Sequence, residues 1–460
     1  MDLHRPIYHF LPEKNWMNDP NGTIFYKGEH HLFYQYNPYG YKWDHMHWGH
    51  AKSKDLIHWE RLPIALYPSN ELGELHCFSG CCVLNEGEPT IFYTSIGENE
   101  RNPAIGAQQW MATSNDDMLT WQKHPGNPIL DIKCHGDMEI KEWRDPFIWK
   151  ENNTWFMVLA GTHGKEGCIL IYSSEDLMNW KYLNKFYKED DVILECPNVV
   201  VFGKKYLLVY SVIEEQQVKY CLGTMQDDYT LHVEQKGCID YGKKCYYATN
   251  ISFDDKDRIL LWGWLNESAR GELPSAGEWS GIQSLPRILE LKGDNALGIK
   301  PIPEIKAIRG QHFNISNITL QKETRDIRLS GKAIEIQAEF ESSENVKDFG
   351  IKLLCSPDGR EETVINFNVP EKVFSIDRSK SSLSQQVSKD TQRGSYKEKN
   401  GIIKVHILVD YSCIEVFVND EACMSARVYP LLEESNLVKI YSDGKIKVNQ
   451  FDIWELKSIW

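Results

Sequence analysis

The chain is predicted to be all-β, a five-bladed β-propeller followed by a C-terminal β-sandwich. Three observations carry this expectation. Strand-turn-strand units recur at a spacing of roughly 60 residues, the kind of period that marks a repeat architecture. A Ser-Asp-Trp signature keeps time with them, and beyond about residue 311 the pattern changes to short alternating strands. Helical periodicity is almost absent, which leaves four short strands per repeat, the content of a propeller blade.

The units run in order. The first pairs residues 23–26 with 31–36 across a KGEH turn, and the second pairs 81–84 with 90–94 across NEGE. The third joins 147–149 to 155–160 through ENNT, the fourth 198–202 to 206–211 through GKK, and the fifth 249–253 to 259–264 through DDKD. The signature appears as Ser53, Asp55 and Trp59, then Ser114, Asp116 and Trp121, then Ser174, Asp176 and Trp180, and decays in the fourth copy to TMQDDYTLH. In each, the Asp turns the chain and the Trp packs inward. The propeller is assigned to residues 1–300, a linker with prolines, PIPEIKAIRG, to 301–311, and the sandwich to 312–460. The polar stretch 379–401 is predicted to be a long exposed loop.

Inner strands of a propeller line one axis, so the residues just ahead of them face a shared funnel. Those places hold Asp19, Ser79, Asp145, Glu195 and the pair Tyr247–Ala248. Asp19 lies in WMNDPNG, where Pro20 biases it toward an extended backbone at a strand's start. Three converging carboxylates are unfavourable unless their charge is shared or used, because like charges disfavour joint ionisation. The competing explanation is a structural cation or a set of caps at the blade starts.

Composition narrows the classes of function. A formal net charge of -15 disfavours nucleic acid and anionic membrane surfaces as partners and suits a neutral small substrate, although a local Arg or Lys can still hold a phosphate. No long apolar run marks a signal peptide or a spanning helix, so the expected compartment is the cytoplasm. The 12 cysteines include no CxxC pair with metal spacing and several within strand-like runs, so they are expected to be buried free thiols. His45, His47 and His50 cluster in WDHMHWGH without a matching acid, a weak metal signal. Motifs of serine hydrolases, P-loops and dinucleotide sites are missing from any persuasive context.

Three acids at one funnel fit glycoside cleavage. One carboxyl protonates the leaving oxygen, a second attacks or activates water, and a third steadies the positive charge that develops. Arg144 and Asn18 add donors beside two of them, and Trp16, Trp43, Trp48 and Trp143 are candidates for stacking on sugar faces, whereas Trp59, Trp121 and Trp180 are read as packing.

WMNDPNG at 16–22, EWRDP at 142–146 and ILECPN at 193–198 occur in this order and at equivalent places in successive blades. With them the chain resembles glycoside hydrolase family 32, the invertases, fructanases and sucrose-6-phosphate hydrolases, over nearly its whole length. SIDRS at 375–379 and VDYSCIEVFVND at 409–420 resemble the sandwich signatures of that family. The resemblance implies a five-bladed propeller with a β-sandwich and a retaining β-fructofuranosidase that needs no cofactor or metal. It assigns Asp19 as nucleophile, Glu195 as general acid and base, and Asp145 as transition-state stabiliser. It implies substrate contacts from Trp16, Asn18, Gln35, Trp43, Phe78, Ser79 and Arg144, and from Asp240 as an acid on the pocket rim. Sucrose, sucrose 6-phosphate and short fructooligosaccharides are the substrates it suggests. A fructosyltransferase using the same intermediate, a silent sugar-binding propeller, and a related inverting glycosidase are the alternatives. The family pattern is departed from at Cys81, after FSG, and in a longer stretch at 98–109. The sandwich is expected to be structural, with a homodimer interface as one role for it.

Overall fold

The computed structural model describes residues 2–97, 107–274, 278–293, 296–342 and 345–460. Five antiparallel sheets follow one another around an axis, and their inner strands are Asn15–Tyr26, His76–Asn85, Lys141–Glu151, Leu194–Phe202 and Tyr246–Phe253. The ring closes where Trp279–Ser280, from the fifth blade, pairs in parallel with Asn15 and Trp16 of the first. Gly281 makes this closure possible. Its φ is +81°, and a Cβ there would lie 1.9 Å from the Met17 carbonyl oxygen.

The repeated Ser-Asp-Trp signature is a turn lock. Asp55 accepts from the backbone of Ile57 and His58, Asp116 from Thr120, and Asp176 from Met178 and Asn179, each with its Ser hydroxyl bonded to the same carboxylate. The partner tryptophans pack between blades, Trp59 against Trp262, Trp121 against Phe33 and Trp180 against Phe92. Local hydrogen bonding thus fixes the outer turn while an aromatic ring glues each blade to a neighbour.

The inner strands begin several residues earlier than the sequence pattern predicts. Each contains a β-bulge at the funnel end, two residues against one on the neighbouring strand: Asn18 and Asp19, Phe78 and Ser79, Asp145 and Pro146, Cys196 and Pro197, Ala248 and Thr249. Ladder pairing resumes beyond the bulge, so the strand continues where alternation in the sequence breaks. The funnel residues therefore sit within strands rather than ahead of them.

After Leu297–Pro301 a short 3-10 helix, Pro303–Ile308, leads into the strand Arg309–Asp326. The second domain is a ten-stranded path turned over on itself by one long strand, Leu437–Leu456. The first half of that strand pairs with Asp348–Cys355 and the second half with Ala333–Glu341, so it passes from one layer to the other, with a core of Phe349, Ile351, Phe367, Ile407 and Phe451 between them. The stretch 379–401 is not a free loop. It holds the strand Thr391–Ser395, paired with Val373–Lys380, and Gln392 and Gly394 point inward under an otherwise polar sequence. All 12 cysteines are unpaired and ten are buried. Among the described residues no helix is long and apolar enough to cross a membrane.

Candidate active site

The funnel encloses a cavity of about 1190 Å³, lined by Asn18, Asp19, Gln35, Trp43, Phe78, Ser79, Arg144, Asp145 and Glu195 among others. Asp19, Asp145 and Glu195 all reach it, each from a different position of its blade's bulge. Asp19 is the second bulged residue, Asp145 the first, and Glu195 the residue before the bulge. The backbone at Asp145, Cys196 and Ala248 is left-handed, with φ of 65°, 48° and 50°. For residues other than glycine this conformation is uncommon, and it persists where surrounding bonds over-determine it.

Those bonds form a ring, and each bulge is clasped from the blade before it. Gln283 Nε2 donates to the Asn18 carbonyl at 2.6 Å, and Gln35 Nε2 and Trp48 Nε1 donate to the carbonyls of Cys77 and Phe78, both at 2.9 Å. The Asp145 amide donates to Thr94 Oγ1 at 3.0 Å, the Cys196 amide to Asp145 Oδ2 at 3.0 Å, and the Ala248 amide to Ser211 Oγ at 3.1 Å. Asp145 is thus both a funnel acid and the clasp of the fourth blade.

The carboxylates differ in their partners. Asp19 accepts from Ser79 Oγ at 2.6 Å and Asn18 Nδ2 at 3.0 Å, bonds that favour its ionised form. Burial and the neighbouring charges of Asp145 and Glu195 act more strongly and push Asp19 up to about 7. Burial and Glu195 likewise lift Asp145 to about 6, against the pull of Arg144. Glu195 is held by Tyr247 OH at 2.6 Å on Oε2 and by Arg144 Nη2 at 2.9 Å on Oε1. Arg144 also pairs with Glu142 at 2.6 Å. The Cys196 thiol touches Asp19 at 3.7 Å and Asp145 at 3.5 Å, a soft contact between two acids. Burial thus lifts Asp19 and Asp145, and the closeness of the three acids disfavours their joint ionisation. A nucleophile and a proton donor are both drawn from carboxyl groups in such a cluster.

The other sequence-predicted residues divide. Trp43 lines the mouth, 48% exposed and stacked on His76 at 5.2 Å, with Phe78 edge-on. Trp143 lines the wall but is buried, its Nε1 donating to Tyr172 OH, and Trp48 is wholly buried. Trp16 is outside the lining. It donates to Asn18 Oδ1 at 2.7 Å and packs edge-on against Trp264, so it orients a neighbour of Asp19. Asp240 is corrected outright: it is 1% exposed, paired with Arg287 at 2.8 Å and bonded to the amide and hydroxyl of Ser425 from the sandwich. Gly242 beside it packs on the Ser425 carbonyl, so this stretch belongs to an inter-domain seam rather than to the rim. His45, His47 and His50 do not converge. His45 is exposed, while His50 is buried against His31 and stacked on Phe33, and among the described residues no cluster of three metal-ligating side chains occurs. Residues 98–106 of the longer stretch lie outside the described residues.

Sequence reasoning placed Tyr247 at the funnel without a role, and missed Trp264 and Gln216 in the lining and Thr94 behind Asp145. A tyrosine at the bulge of the fifth blade was the available signal for the first. Trp264 and Thr94 lie on second strands and Gln216 in the turn before a third, where nothing in the repeat distinguishes them.

Comparison with known proteins agrees with this geometry. Residues 9–301 match the model of the glycosyl hydrolases family 32 N-terminal domain, and 304–455 that of the family 32 C-terminal domain. A levanase of Bacillus subtilis is 33% identical, covering 99% of this chain and 71% of its own. A sucrose-6-phosphate hydrolase of Zymomonas mobilis is 30% identical, over 98% and 92%. The crystal structure of fructan 1-exohydrolase IIa from Cichorium intybus superposes with a TM-score of 0.91 at 25% identity, covering 99% of this chain and 98% of its own, and a variant of it has been solved with 1-kestose. Five bulged strands presenting three acids to one cavity, on a chain matched from end to end, lead to one assignment: the protein belongs to glycosyl hydrolase family 32.

Proposed function

We propose that the funnel cleaves terminal β-D-fructofuranosyl residues from sucrose, sucrose 6-phosphate or short fructooligosaccharides, by hydrolysis with retention through a fructosyl-enzyme intermediate. The observation that carries this is the meeting of Asp19 and Glu195 in one cavity with different partners, the first bonded only to neutral donors, the second to an arginine and a phenol. Asp19 attacks the anomeric carbon while Glu195 gives its proton to the leaving oxygen, then takes one from the water that releases fructose. Asp145, fixed by the amide of Cys196 and by the bulge, offers negative charge to the sugar's hydroxyls and to the oxocarbenium-like transition state without forming a bond. Arg144, paired with Glu195 and 4.0 Å from Asp145, offsets part of the charge of the group. Trp43 and Phe78 at the mouth offer ring faces to the leaving sugar. The levanase, hydrolase and exohydrolase relatives support fructosides as the substrate class. Twelve unpaired cysteines support a reducing compartment, and with it the cytoplasm.

The test is to follow the first-released fructose by NMR on a time scale faster than mutarotation. The β-furanose anomer is expected to appear first. Initial release of the α anomer, or no release of fructose from any of the three substrates, would overturn the proposal.

A further inference from the structure

We infer that the funnel-side loops of the first blade form an aromatic ledge for sugar residues of the leaving group beyond the one at the scissile bond, so that the favoured substrate is a neutral fructosyl oligosaccharide rather than a disaccharide. This rests on the hydrolytic reading of the funnel and adds a subsite outside it. In the first blade the inner strand Asn15–Tyr26 starts at the funnel, so the connection after Glu29–Asn37 and the crossover after Glu60–Leu66 both return to that same face. Those two connections carry Tyr39, Trp43 and Tyr67, which are 74%, 48% and 54% exposed. Isolated exposed rings are ordinary, but these are joined. Trp43, which lines the cavity, stacks on His76. Met46 is bonded to both His76 Nδ1 and the Cys77 amide, and beyond it Tyr39 stands edge-on to His47 at 5.6 Å, and His47 edge-on to Tyr67 at 5.4 Å. The exposed rings are thus anchored beside the cavity mouth on one buried group, Met46 and His47, and exposed rings so placed offer a binding surface.

The ledge is held in shape by hydrogen bonds within the protein. Asn37 accepts from the Tyr39 amide at 3.0 Å and donates to the Lys42 carbonyl at 2.8 Å, Asn15 Nδ2 holds the Pro38 carbonyl at 2.7 Å, and the Trp16 amide donates to the Gly40 carbonyl at 3.0 Å. The last two bonds tie the loop to the strand that carries Asp19, which fixes the distance from ledge to bond cleavage. A surface fixed in advance loses little conformational freedom when a sugar chain lies on it. Its chemistry points to an uncharged ligand: Lys42 and Asp44 in the segment 38–47 balance each other, and Lys123, which reaches the Tyr67 carbonyl, is paired with Glu74. Apolar ring faces edged by imidazole and phenol groups suit the C–H faces and hydroxyl rims of furanose rings. The cavity volume, above that of an ordinary small-molecule pocket, already leaves room for more than two sugars.

The test compares the full-length protein with the double variant Tyr39→Ala/Tyr67→Ala on sucrose and on fructosyl tetrasaccharides of inulin and levan type. For at least one tetrasaccharide, kcat/KM is expected to fall about ten-fold through KM, the worth of a lost ring contact. On sucrose, which ends inside the funnel, it is expected to stay within about two-fold, the usual size of an indirect surface effect. Tyr39→Phe/Tyr67→Phe, which keeps the rings, should restore most of the tetrasaccharide rate. An equal fall on all substrates, or no fall on either tetrasaccharide, overturns the ledge. So does a variant whose association state changes in gel filtration while the ratio of rates does not, since the rings then serve a second copy. Failure of the unaltered protein to release fructose from sucrose or tetrasaccharide sinks the hydrolytic reading instead, so the two failures are separable.

Discussion

Two places in this molecule gather buried acids around an arginine, and they have opposite electrostatic outcomes. At the funnel floor Arg144 serves Glu142 and Glu195 at hydrogen-bond distance and reaches Asp145 only at 4.0 Å, while Asp19 pairs with no cation among the described residues. Burial then wins, and Asp19 and Asp145 are lifted toward neutrality. At the seam between propeller and sandwich, Arg287 lies between Asp240 at 2.8 Å and Glu415 at 2.7 Å, with its guanidinium 3.8 Å from the centre of the Tyr246 ring. Glu415 also meets His9 at 3.1 Å and the Leu285 amide at 3.2 Å, and despite its burial Arg287 and His9 hold it below the usual carboxylate range. Buried carboxylates are reactive or structural according to how many donors they have. One site keeps its acids under-partnered and available, and the other saturates them.

Removing the acids of the floor breaks the comparison most visibly. Asp19→Asn and Glu195→Gln are each expected to lower kcat by at least about a thousand-fold in a protein that still folds, since neither a nucleophile nor a proton donor is replaced by the acids that remain. Steady-state rates with circular dichroism of the same preparations measure both halves, and near-normal turnover in either variant would remove the roles assigned above. Next in size is the seam. Arg287→Met leaves Asp240 buried without a cation and Glu415 with His9 alone, a change worth about 3–5 kcal/mol of stability by analogy with broken buried pairs. Denaturant titration should register the loss, while molecules that remain folded keep their kcat. A variant as stable as the parent would mean that the seam is not a saturated network.

The repeat, the acids and the domain order were legible in the sequence because each leaves a periodic trace. A Ser-Asp-Trp turn lock recurs because every outer turn has the same geometry, and the acids were found because a funnel collects one position per blade. What escaped was aperiodic. Bulges interrupt alternation, so Asp19, Asp145 and Glu195 looked like equivalent residues when they occupy three successive bulge positions. Asp240 read as a rim acid because a short motif names a residue type and says nothing of what packs upon it, and only the fold brings Ser425 and Arg287 to that carboxylate. The strand Thr391–Ser395 hid for a related reason: its inward residues are Gln392 and Gly394, which carry no apolar signal.

The smallest effect sharpens the comparison furthest, because it gives the two acid clusters opposite signs. Asp19 titrates near 3.8 in an unfolded chain and at about 7 in the fold. A carboxyl with a raised pKa binds its proton more tightly when folded, so its favourable contribution is complete below the unfolded value and is lost as pH rises through the folded one. Above pH 7 the ionised Asp19 is therefore a burden on the fold. Asp19→Asn removes that burden while keeping the bond from Ser79, and is expected to be more stable than the parent by about 1–3 kcal/mol at pH 8, allowing for water in the open funnel. The gain should shrink steadily as pH falls from 7 to 4. Glu415 has the reverse sign, with a depressed pKa whose contribution is kept above the unfolded value and lost only on acidification, so the Arg287→Met deficit should persist at pH 8 and narrow toward acid. Melting curves of the two variants between pH 4 and 8 would thus move apart as pH rises. A Asp19→Asn protein less stable than the parent at pH 8, or a gain independent of pH, would show that the floor does not hold its acids under strain, and the distinction between an available and a saturated cluster would fall with it.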